Sequence, residues 1–224
     1  MHGYYADKLS ARRLRACYDL APAAVRAYLN AETDFVLART SSSSRVLELG
    51  CGYGRVLERL ATSARVAVGI DTSIPSLRLA RGLAVPGRAL LLATLDASRM
   101  GFRDGAFDLT VCVQNGISAF AVDRFALLSE AVRVTRAGGT VLFSSYSPRF
   151  WQARLEWFEL QAARGLVGPI DYAATGDGVI ACTDGFRATT VGADEFMALA
   201  ARLDITPRIR EVEGSSLFCE LVVP

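Results

Sequence analysis

The chain has 224 residues, of which 51% are hydrophobic and 21% charged, and its formal net charge is +2. This length predicts one domain with a full core, and the charge implies no strong field for nucleic acid. No apolar run approaches the ~20 residues of a membrane span. Five cysteines without a Cys-x-x-Cys pair indicate a reduced, cytoplasmic protein without structural zinc.

The first predicted elements are two helices, at residues 9–20 and 23–40, which separate near Pro22. Four serines at 41–44 then link the second helix to a buried strand. We therefore expect residues 1–44 to form a helical segment before the first strand.

A glycine-rich run follows this linker. Residues 46–55 read VLELGCGYGR, so an apolar stretch that contains Glu48 leads into glycines at alternate positions, and a helical pattern begins at Arg55. This predicts a strand, a tight turn and a helix, with a bare backbone where a ligand comes close. A second apolar stretch, at 66–70, ends at Asp71. This order is typical of a nucleoside-cofactor site in an open α/β sheet.

The spacing of the glycines discriminates between nucleoside cofactors. A dinucleotide fingerprint, G-x-G-x-x-G, would need a glycine at position 55, which is Arg55. A Walker loop would need a lysine after the glycines, and the only lysine is Lys8. The carboxylate of Glu48 would repel a pyrophosphate but suits an ammonium group. These features favour a cofactor with a ribose, an adenine and a cationic amino acid end.

Strands and helical patterns alternate as far as about residue 146, which predicts a parallel sheet with helices on both faces. Two further strands are expected at 90–97 and 107–113. A helix should begin near Asp123 and end at the Gly138-Gly139 turn, before a fifth strand.

The motifs between about residues 45 and 146 resemble those of the class I S-adenosylmethionine-dependent methyltransferases, whose first motif is E/D-x-G-x-G-x-G. The resemblance implies a doubly wound, mostly parallel seven-stranded sheet with one antiparallel edge strand, and S-adenosyl-L-methionine as cofactor. It also implies an N-terminal helical cap at 1–44 and a methyltransferase core at 45–224, in which an insertion at 147–190 serves as the acceptor cap. The expected acceptor is a small molecule, and the protein is expected to be a monomer or homodimer.

The resemblance also assigns cofactor-binding residues. Glu48 would orient the glycine turn or meet the ammonium group through water, Asp71 would hold the ribose, and Asp96 would lie beside the adenine. The full implied set is Glu48, Gly50, Cys51, Gly52, Gly54, Asp71, Thr72, Asp96, Ala97, Gln114 and Asn115.

Asn115 and Tyr146 are the candidate catalytic residues. Asn115 would position the acceptor atom, or would be a turn residue that tolerates left-handed geometry. The segment at 114–118 lacks the Asn/Asp-Pro-Pro-aromatic motif of enzymes that methylate amino groups in nucleic acids. His2 is the only histidine, so the proton acceptor is expected to be a carboxylate, a tyrosine or solvent. This favours amines, carboxylates, acidic phenols or thiols as acceptors.

The segment after Tyr146 carries many aromatic residues. An aromatic helix is expected at 148–164 and a hairpin at 179–190, with Asp184-Gly185 at its tip. A helix at 194–203 and an antiparallel pair of strands at 205–212 and 216–223 would complete the fold. The aromatic side chains expected either to line an acceptor pocket or to pack in the core are Tyr4, Tyr5, Tyr28, Tyr146, Trp151 and Trp157.

Other functions remain open from the sequence. Cys17, Cys182 and Cys219 would serve arsenite or thiol methylation if they converge. A non-catalytic, cofactor-binding partner subunit is the second alternative. Aminopropyl transfer on the same fold and RNA methylation are less favoured, because the chain shows neither an acid-lined groove after the fourth strand nor a separate basic domain.

Overall fold

A computed structural model describes residues 4–83 and 89–224 of the chain. The helices are α1 (Tyr4–Asp7), α2 (Ala11–Asp19), α3 (Ala23–Leu37), α4 (Arg55–Ser63), α5 (Ile74–Arg81), α6 (Gly116–Ala119), α7 (Arg124–Val134), α8 (Trp151–Ala163) and α9 (Ala193–Ala201). The strands are β1 (Arg45–Leu49), β2 (Val66–Asp71), β3 (Ala89–Thr94), β4 (Phe107–Cys112), β5 (Thr135–Tyr146), β6 (Ile180–Ala181), β7 (Arg187–Ala188), β8 (Arg208–Val212) and β9 (Ser216–Val222).

Seven of these strands form one sheet in the order β3-β2-β1-β4-β5-β9-β8. Strands β1 to β5 run parallel, and β9 is antiparallel to both β5 and β8. The predicted doubly wound α/β fold is confirmed, and its antiparallel strand lies one position in from the edge strand β8.

The strand order places the site. The chain leaves β1 toward β2 on one side and leaves β4 toward β5 on the other, so the carboxyl ends of β1 and β4 flank a topological switch point. Ligands of open α/β sheets bind in the crevice at such a point. Within the sheet, Glu48 pairs with Gly69 of β2 and Val111 of β4, which puts its side chain beside this crevice.

Apolar clusters cover both faces of the sheet, and a third cluster lies outside it. This third cluster joins the N-terminal helices to the segment after β5. It includes Val25 and Tyr28 of α3, Tyr146 at the end of β5, and Trp157 and Phe158 of α8. The two predicted cap segments therefore share one apolar core.

The predicted end of helix α7 at the Gly138-Gly139 turn was wrong. The helix ends at Val134, and residues from Thr135 onward belong to β5. The buried Thr135 Oγ1 donates to the carbonyl of Ala131 at 2.7 Å and lies 2.7 Å from Thr110 Oγ1 in β4. This residue therefore joins the last helical turn directly to the sheet.

The predicted hairpin is confirmed as the pair β6–β7, and Gly185 at its tip has a φ of +94°. Among the helices in the described ranges, none combines the length and the apolar content needed to cross a membrane.

Candidate functional site

The turn between β1 and α4 requires glycine at each alternate position. Gly50, Gly52 and Gly54 have φ angles of +70°, +54° and +92°, a left-handed region that disfavours other residues. A Cβ atom on Gly50 would collide with the ring of Phe120, and one on Gly54 would lie 3.0 Å from Ala80 in α5. Gly50 therefore allows an aromatic ring to approach the turn, whereas Gly54 allows close helix packing.

Asp71, at the end of β2, braces this turn. Its Oδ2 accepts a hydrogen bond from the Gly52 N–H at 2.9 Å, and its Oδ1 accepts one from the Ser73 N–H at 2.7 Å. Burial raises the pKa of Asp71, and these backbone donors oppose the shift. Each carboxylate oxygen keeps a second lone pair, so the side chain has capacity for a ligand.

A cavity of about 230 Å³ extends from the glycine turn to α8. Most of the predicted site residues line it, including both cofactor acids at the ends of strands. These residues are Gly50, Gly52, Asp71, Thr72, Asp96, Ala97, Gln114 and Tyr146. The cavity therefore brings the ends of β1, β2, β3 and β4 to one space.

A smaller neighbouring space of about 40 Å³ is lined by two predicted residues that do not line the large cavity, namely Glu48 and Cys51. The predicted residues Gly50, Gly52 and Gln114 line both spaces, and Gly54 lines neither. The glycine turn thus separates a large cavity from a small one.

The small cavity is surrounded by polar atoms that have no hydrogen-bond partner in the described part of the chain. These atoms are Glu48 Oε2, Nε and Nη2 of Arg55, and Gln114 Nε2, all of them buried. Burial raises the pKa of Glu48 to about 8, and the charge of Arg55 opposes the shift. Because native proteins satisfy nearly all buried polar groups, this cluster is suited to a polar ligand or ordered water.

Arg55 was missed in the sequence, although a signal for it exists. It is the first residue of α4, and side chains on a helix lean toward its N-terminus. A basic residue directly after the third glycine therefore points back toward the turn.

Gln114 follows β4 in the left-handed region, with a φ of +57°. Its backbone N–H lies 3.0 Å from Glu32 Oε2 and 2.9 Å from Ser144 Oγ. Its side-chain Oε1 accepts a hydrogen bond from the Tyr18 hydroxyl at 2.9 Å. Helix α2 is thereby tied to the carboxyl end of β4.

Asn115, predicted to hold the cofactor or the acceptor, is not among the residues that line the cavity. Its Oδ1 accepts from Ser145 Oγ at 2.9 Å, and its Nδ2 donates to the Thr189 carbonyl at 2.8 Å. Its φ of +59° matches the alternative prediction of a left-handed turn residue. Because both ends of the amide are engaged internally, Asn115 links β5 to the segment after β7.

Asp96 and Thr72 are exposed at the mouth of the cavity. Asp96 Oδ1 accepts hydrogen bonds from the N–H and the hydroxyl of Ser98, at 2.8 and 2.7 Å. This local turn fixes the carboxylate beside Ala97 and leaves its second oxygen available.

The far end of the cavity is an aromatic chamber, lined by Tyr5, Leu9, Cys17, Tyr18, Tyr146, Trp157, Phe158 and Gln161. Of the aromatic residues predicted for an acceptor pocket, Tyr5, Tyr146 and Trp157 line the cavity. Tyr28 instead packs behind Tyr146, at 5.3 Å between ring centroids. Tyr4 and Trp151 are also absent from the lining among the described residues, and Tyr18, Phe158 and Gln161 were not predicted.

The cysteines do not form a common site. Cys17 and Cys182 lie in the outer apolar cluster, whereas Cys219 lies in the core of the sheet. Burial raises the pKa of Cys17 and of Cys219 to about 12, which makes the thiols poor nucleophiles. Within the part of the chain that the structure describes, no cluster of His, Cys, Asp and Glu has the makings of a metal site. The geometry gives no support to arsenite or thiol chemistry at these residues.

Comparison with known proteins points to one family. A family described as "Methyltransferase domain" matches residues 46–139. The chain is 31% identical over 118 residues to a ubiquinone biosynthesis O-methyltransferase of Methylococcus capsulatus. The matched region covers 50% of this chain and 47% of that protein. The chain thus spans about half the length of the curated relatives it matches.

Two solved structures share the fold. One is the magnesium protoporphyrin IX methyltransferase (ChlM) of Synechocystis PCC 6803, solved with bound SAH. Its TM-score is 0.66 at 16% identity, and the alignment covers 99% of this chain and 97% of the ChlM chain. The other is a SAM-dependent methyltransferase of Methanosarcina mazei, with a TM-score of 0.60 at 19% identity. The alignment covers 84% of this chain and 94% of the Methanosarcina chain.

Proposed function

We propose that the chain is a class I S-adenosylmethionine-dependent methyltransferase that transfers a methyl group from S-adenosylmethionine to a small-molecule acceptor, and the family match at residues 46–139 and the similarity to a curated methyltransferase support this. One observation carries this proposal. A single cavity joins the glycine turn and Asp71 at one end to an aromatic chamber at the other. A cavity of this form is suited to a cofactor at one end and an apolar acceptor at the other.

The small cavity beside the turn fits the amino acid end of the cofactor. Among the described residues, its charged side chains with unpaired atoms are the Glu48 carboxylate and the Arg55 guanidinium, beside the Gln114 amide. A carboxylate suits an ammonium group, and a guanidinium suits a carboxylate. We therefore assign the methionine end of the cofactor to Glu48, Arg55 and the Gln114 amide, with Gly50, Cys51 and Gly52 forming the backbone beneath it.

The large cavity accommodates the nucleoside. Asp71 and Thr72 are assigned to the ribose, because the carboxylate keeps free lone pairs on the cavity side of the turn. Asp96 and Ala97 are assigned to the adenine edge. Gly54 and Asn115 have structural roles in this assignment, since neither lines a cavity in the described chain.

When bound, the cofactor supplies a methyl group activated by a sulfonium, which an acceptor atom attacks in line as the carbon–sulfur bond breaks. The protein's contribution is orientation and the exclusion of water. The walls of the chamber, with Trp157, Phe158 and Tyr146, exclude water from the acceptor side. Tyr146 contacts the acceptor in this scheme, and because burial raises its pKa, we do not assign it the role of a base.

Helices α1 to α3 and the segment 147–190 act as the acceptor cap, and 45–224 outside that segment acts as the cofactor-binding core. The relative from Methylococcus capsulatus is named for ubiquinone biosynthesis, which supports a small-molecule acceptor here as well. An aromatic chamber adjoining the cofactor site also favours catalysis over a non-catalytic partner subunit, which has no need of one.

The test is calorimetric titration with S-adenosylhomocysteine, with NADH in parallel. We expect binding of S-adenosylhomocysteine alone, weakened at least about tenfold by Asp71→Ala, which removes the assigned ribose ligand. Asp34→Asn, on an exposed face of α3, is the control and should bind as the wild type does. Preference for NADH, or no binding of S-adenosylhomocysteine, would refute the proposal.

A further inference from the structure

The side chains that line the aromatic chamber limit the chemical classes of acceptor that it can bind. Its walls are apolar or aromatic apart from one amide, that of Gln161, which is 2% exposed. The Nε2 atom of this amide has no hydrogen-bond partner among the residues described. A buried donor left unpaired costs stability, so an aromatic ligand with a polar substituent would satisfy it.

The chamber contains no negative charge to receive a cation. Among the described residues that line the whole cavity, the charged ones are Asp71 and Asp96, and both lie at the cofactor end. A protonated amine in the chamber would therefore be buried without a charged partner, which is strongly unfavourable.

A positive charge lies behind the chamber wall. Arg154 of α8 is 1% exposed, and its guanidinium carbon lies 4.4 Å from the centroid of the Tyr146 ring and 5.9 Å from that of Phe158. Its Nη1 donates to the Gly178 carbonyl at 2.8 Å, and its Nη2 donates to the Ala188 carbonyl at 3.0 Å. Both partners are neutral, so the charge of Arg154 is not balanced by a carboxylate through these bonds.

The ionisable groups around Arg154 are the hydroxyls of Tyr5, Tyr28 and Tyr146, each raised in pKa by burial. The negative charge of Glu32, on α3, also raises the pKa of Tyr146. Burial raises the pKa of Glu32 to about 7, so its negative charge is only partial near neutral pH. The chamber wall is therefore electropositive, which favours an anion over a neutral molecule and a neutral molecule over a cation.

Resting on the proposed function, we propose that the acceptor is a phenol, which Arg154, as a positioning residue, favours in its anionic form, and whose ring substituent Gln161 binds. The hydroxyl proton passes to solvent as the anion forms. The phenolate oxygen then forms the new carbon–oxygen bond while the carbon–sulfur bond of the cofactor breaks and its electron pair stays on sulfur. No histidine base is needed, because the electropositive wall assists the ionisation.

Three probes of similar size test this with S-adenosylhomocysteine present. They are 4-nitrophenol, which ionises, 4-nitrobenzyl alcohol, which stays neutral, and 4-nitrobenzylamine, which is a cation. Binding is followed by the quenching of tryptophan fluorescence, and the ionisation of 4-nitrophenol by the visible absorbance of its anion. We expect 4-nitrophenol to bind at least about tenfold more tightly than the amine, and its pKa to fall by roughly one unit when bound.

Variants separate the charge of Arg154 from its structural bonds. Arg154→Met should abolish the shift in the bound probe's pKa, whereas Arg154→Lys should retain most of it. Arg149→Met, at an exposed arginine just before α8, is the matched control and should change nothing. Gln161→Leu should weaken 4-nitrophenol binding about fivefold through the lost hydrogen bond.

The inference would be overturned if the amine bound more tightly than 4-nitrophenol, or if 4-nitrophenol did not bind. It would also be overturned if the pKa of bound 4-nitrophenol were the same in a folded Arg154→Met protein as in the wild type. If Arg154→Met does not fold, a failure of Arg154→Lys to shift the probe's pKa would overturn it equally. Calorimetry with S-adenosylhomocysteine separates the two proposals. If the wild type binds S-adenosylhomocysteine but does not prefer 4-nitrophenol to the amine, this inference alone is refuted. If the wild type does not bind S-adenosylhomocysteine, the proposed function is refuted.

Discussion

The Asp71 carboxylate and the Gly52 N–H, 2.9 Å apart, join the end of β2 to the glycine turn that follows β1. The same carboxylate accepts from Ser73 at 2.7 Å, at the start of α5. One side chain thereby fixes the relative positions of two loops that border the cavity. A substitution at Asp71 should consequently alter both the stability of the turn and its affinity for a ligand.

Asp71→Asn should test this double role. The amide can accept from one backbone N–H but presents its own NH₂ group to the other, so one bond is lost. We expect the free energy of unfolding to fall by about 1–2 kcal/mol and the affinity for S-adenosylhomocysteine to fall about tenfold. Urea denaturation and calorimetry measure these two effects. An effect no larger than that of the exposed Asp34→Asn control would contradict the bracing role.

Gly50→Ala should destabilise the protein through two separate effects. The φ of +70° penalises any Cβ by about 1 kcal/mol, and the Phe120 ring occupies the space that the methyl group needs. We expect a total loss of about 2–4 kcal/mol in urea denaturation. In a Phe120→Ala background the cost should fall by about 1 kcal/mol or more, because only the backbone penalty remains.

Gly101→Ala is the control for Gly50→Ala. A Cβ at Gly101 meets nothing within 4 Å, and its backbone is not left-handed. This variant should leave stability within about 0.5 kcal/mol of the wild type. If both glycine variants are equally stable, the proposed contact between the turn and Phe120 does not constrain position 50.

Glu48 should make stability decrease with rising pH. Its pKa is raised in the folded protein to about 8 from the ordinary 4.5, so between these values the native state holds a proton that the unfolded state has lost. The stabilisation is complete below pH 4.5 and is lost as the pH approaches 8. The free energy of unfolding of Glu48→Gln should therefore exceed that of the wild type at pH 8. The difference between variant and wild type should be smaller at pH 5.

Urea denaturation at the two pH values measures this difference. Glu32, whose pKa is raised to about 7, should leave a residual pH dependence in the variant. A Glu48→Gln protein with the same pH dependence as the wild type would mean that Glu48 is already ionised at neutral pH.

Binding of S-adenosylhomocysteine near pH 7 should release a proton. In the proposed assignment its ammonium group lies by Glu48, and a nearby positive charge favours the carboxylate over the protonated acid. The heat of binding should then differ between phosphate and Tris buffers, which have different ionisation enthalpies. Glu48→Gln should abolish this difference, and a difference that survives in the variant would assign the proton to another group.

Much of the cofactor end was predictable because its signals are local. The left-handed glycines and the acids at the ends of β2 and β3 are fixed by neighbours in the chain. Asn115 shows the limit of this approach. Its conformation follows from the turn, but its Thr189 partner depends on how the cap folds back.

The aromatic chamber was only partly predictable for the same reason. Tyr18 lies on α2 and Phe158 on α8, and both line the cavity only because the fold brings these two distant segments into one apolar cluster. No local pattern distinguishes a ring that lines a cavity from one that fills a core. Gln161 gives no local signal either, because α8 carries four other polar or charged side chains.

The position of β9 has a consequence for synthesis. Strand β5 pairs on one side with β4, but on the other side only with β9, which follows the cap and α9 in the chain. A nascent chain can therefore assemble the glycine turn and all five parallel strands while β5 still presents an open edge. Open edges recruit other strands, so this interval is when the protein is most prone to aggregation, and a chaperone that shields β5 would act then.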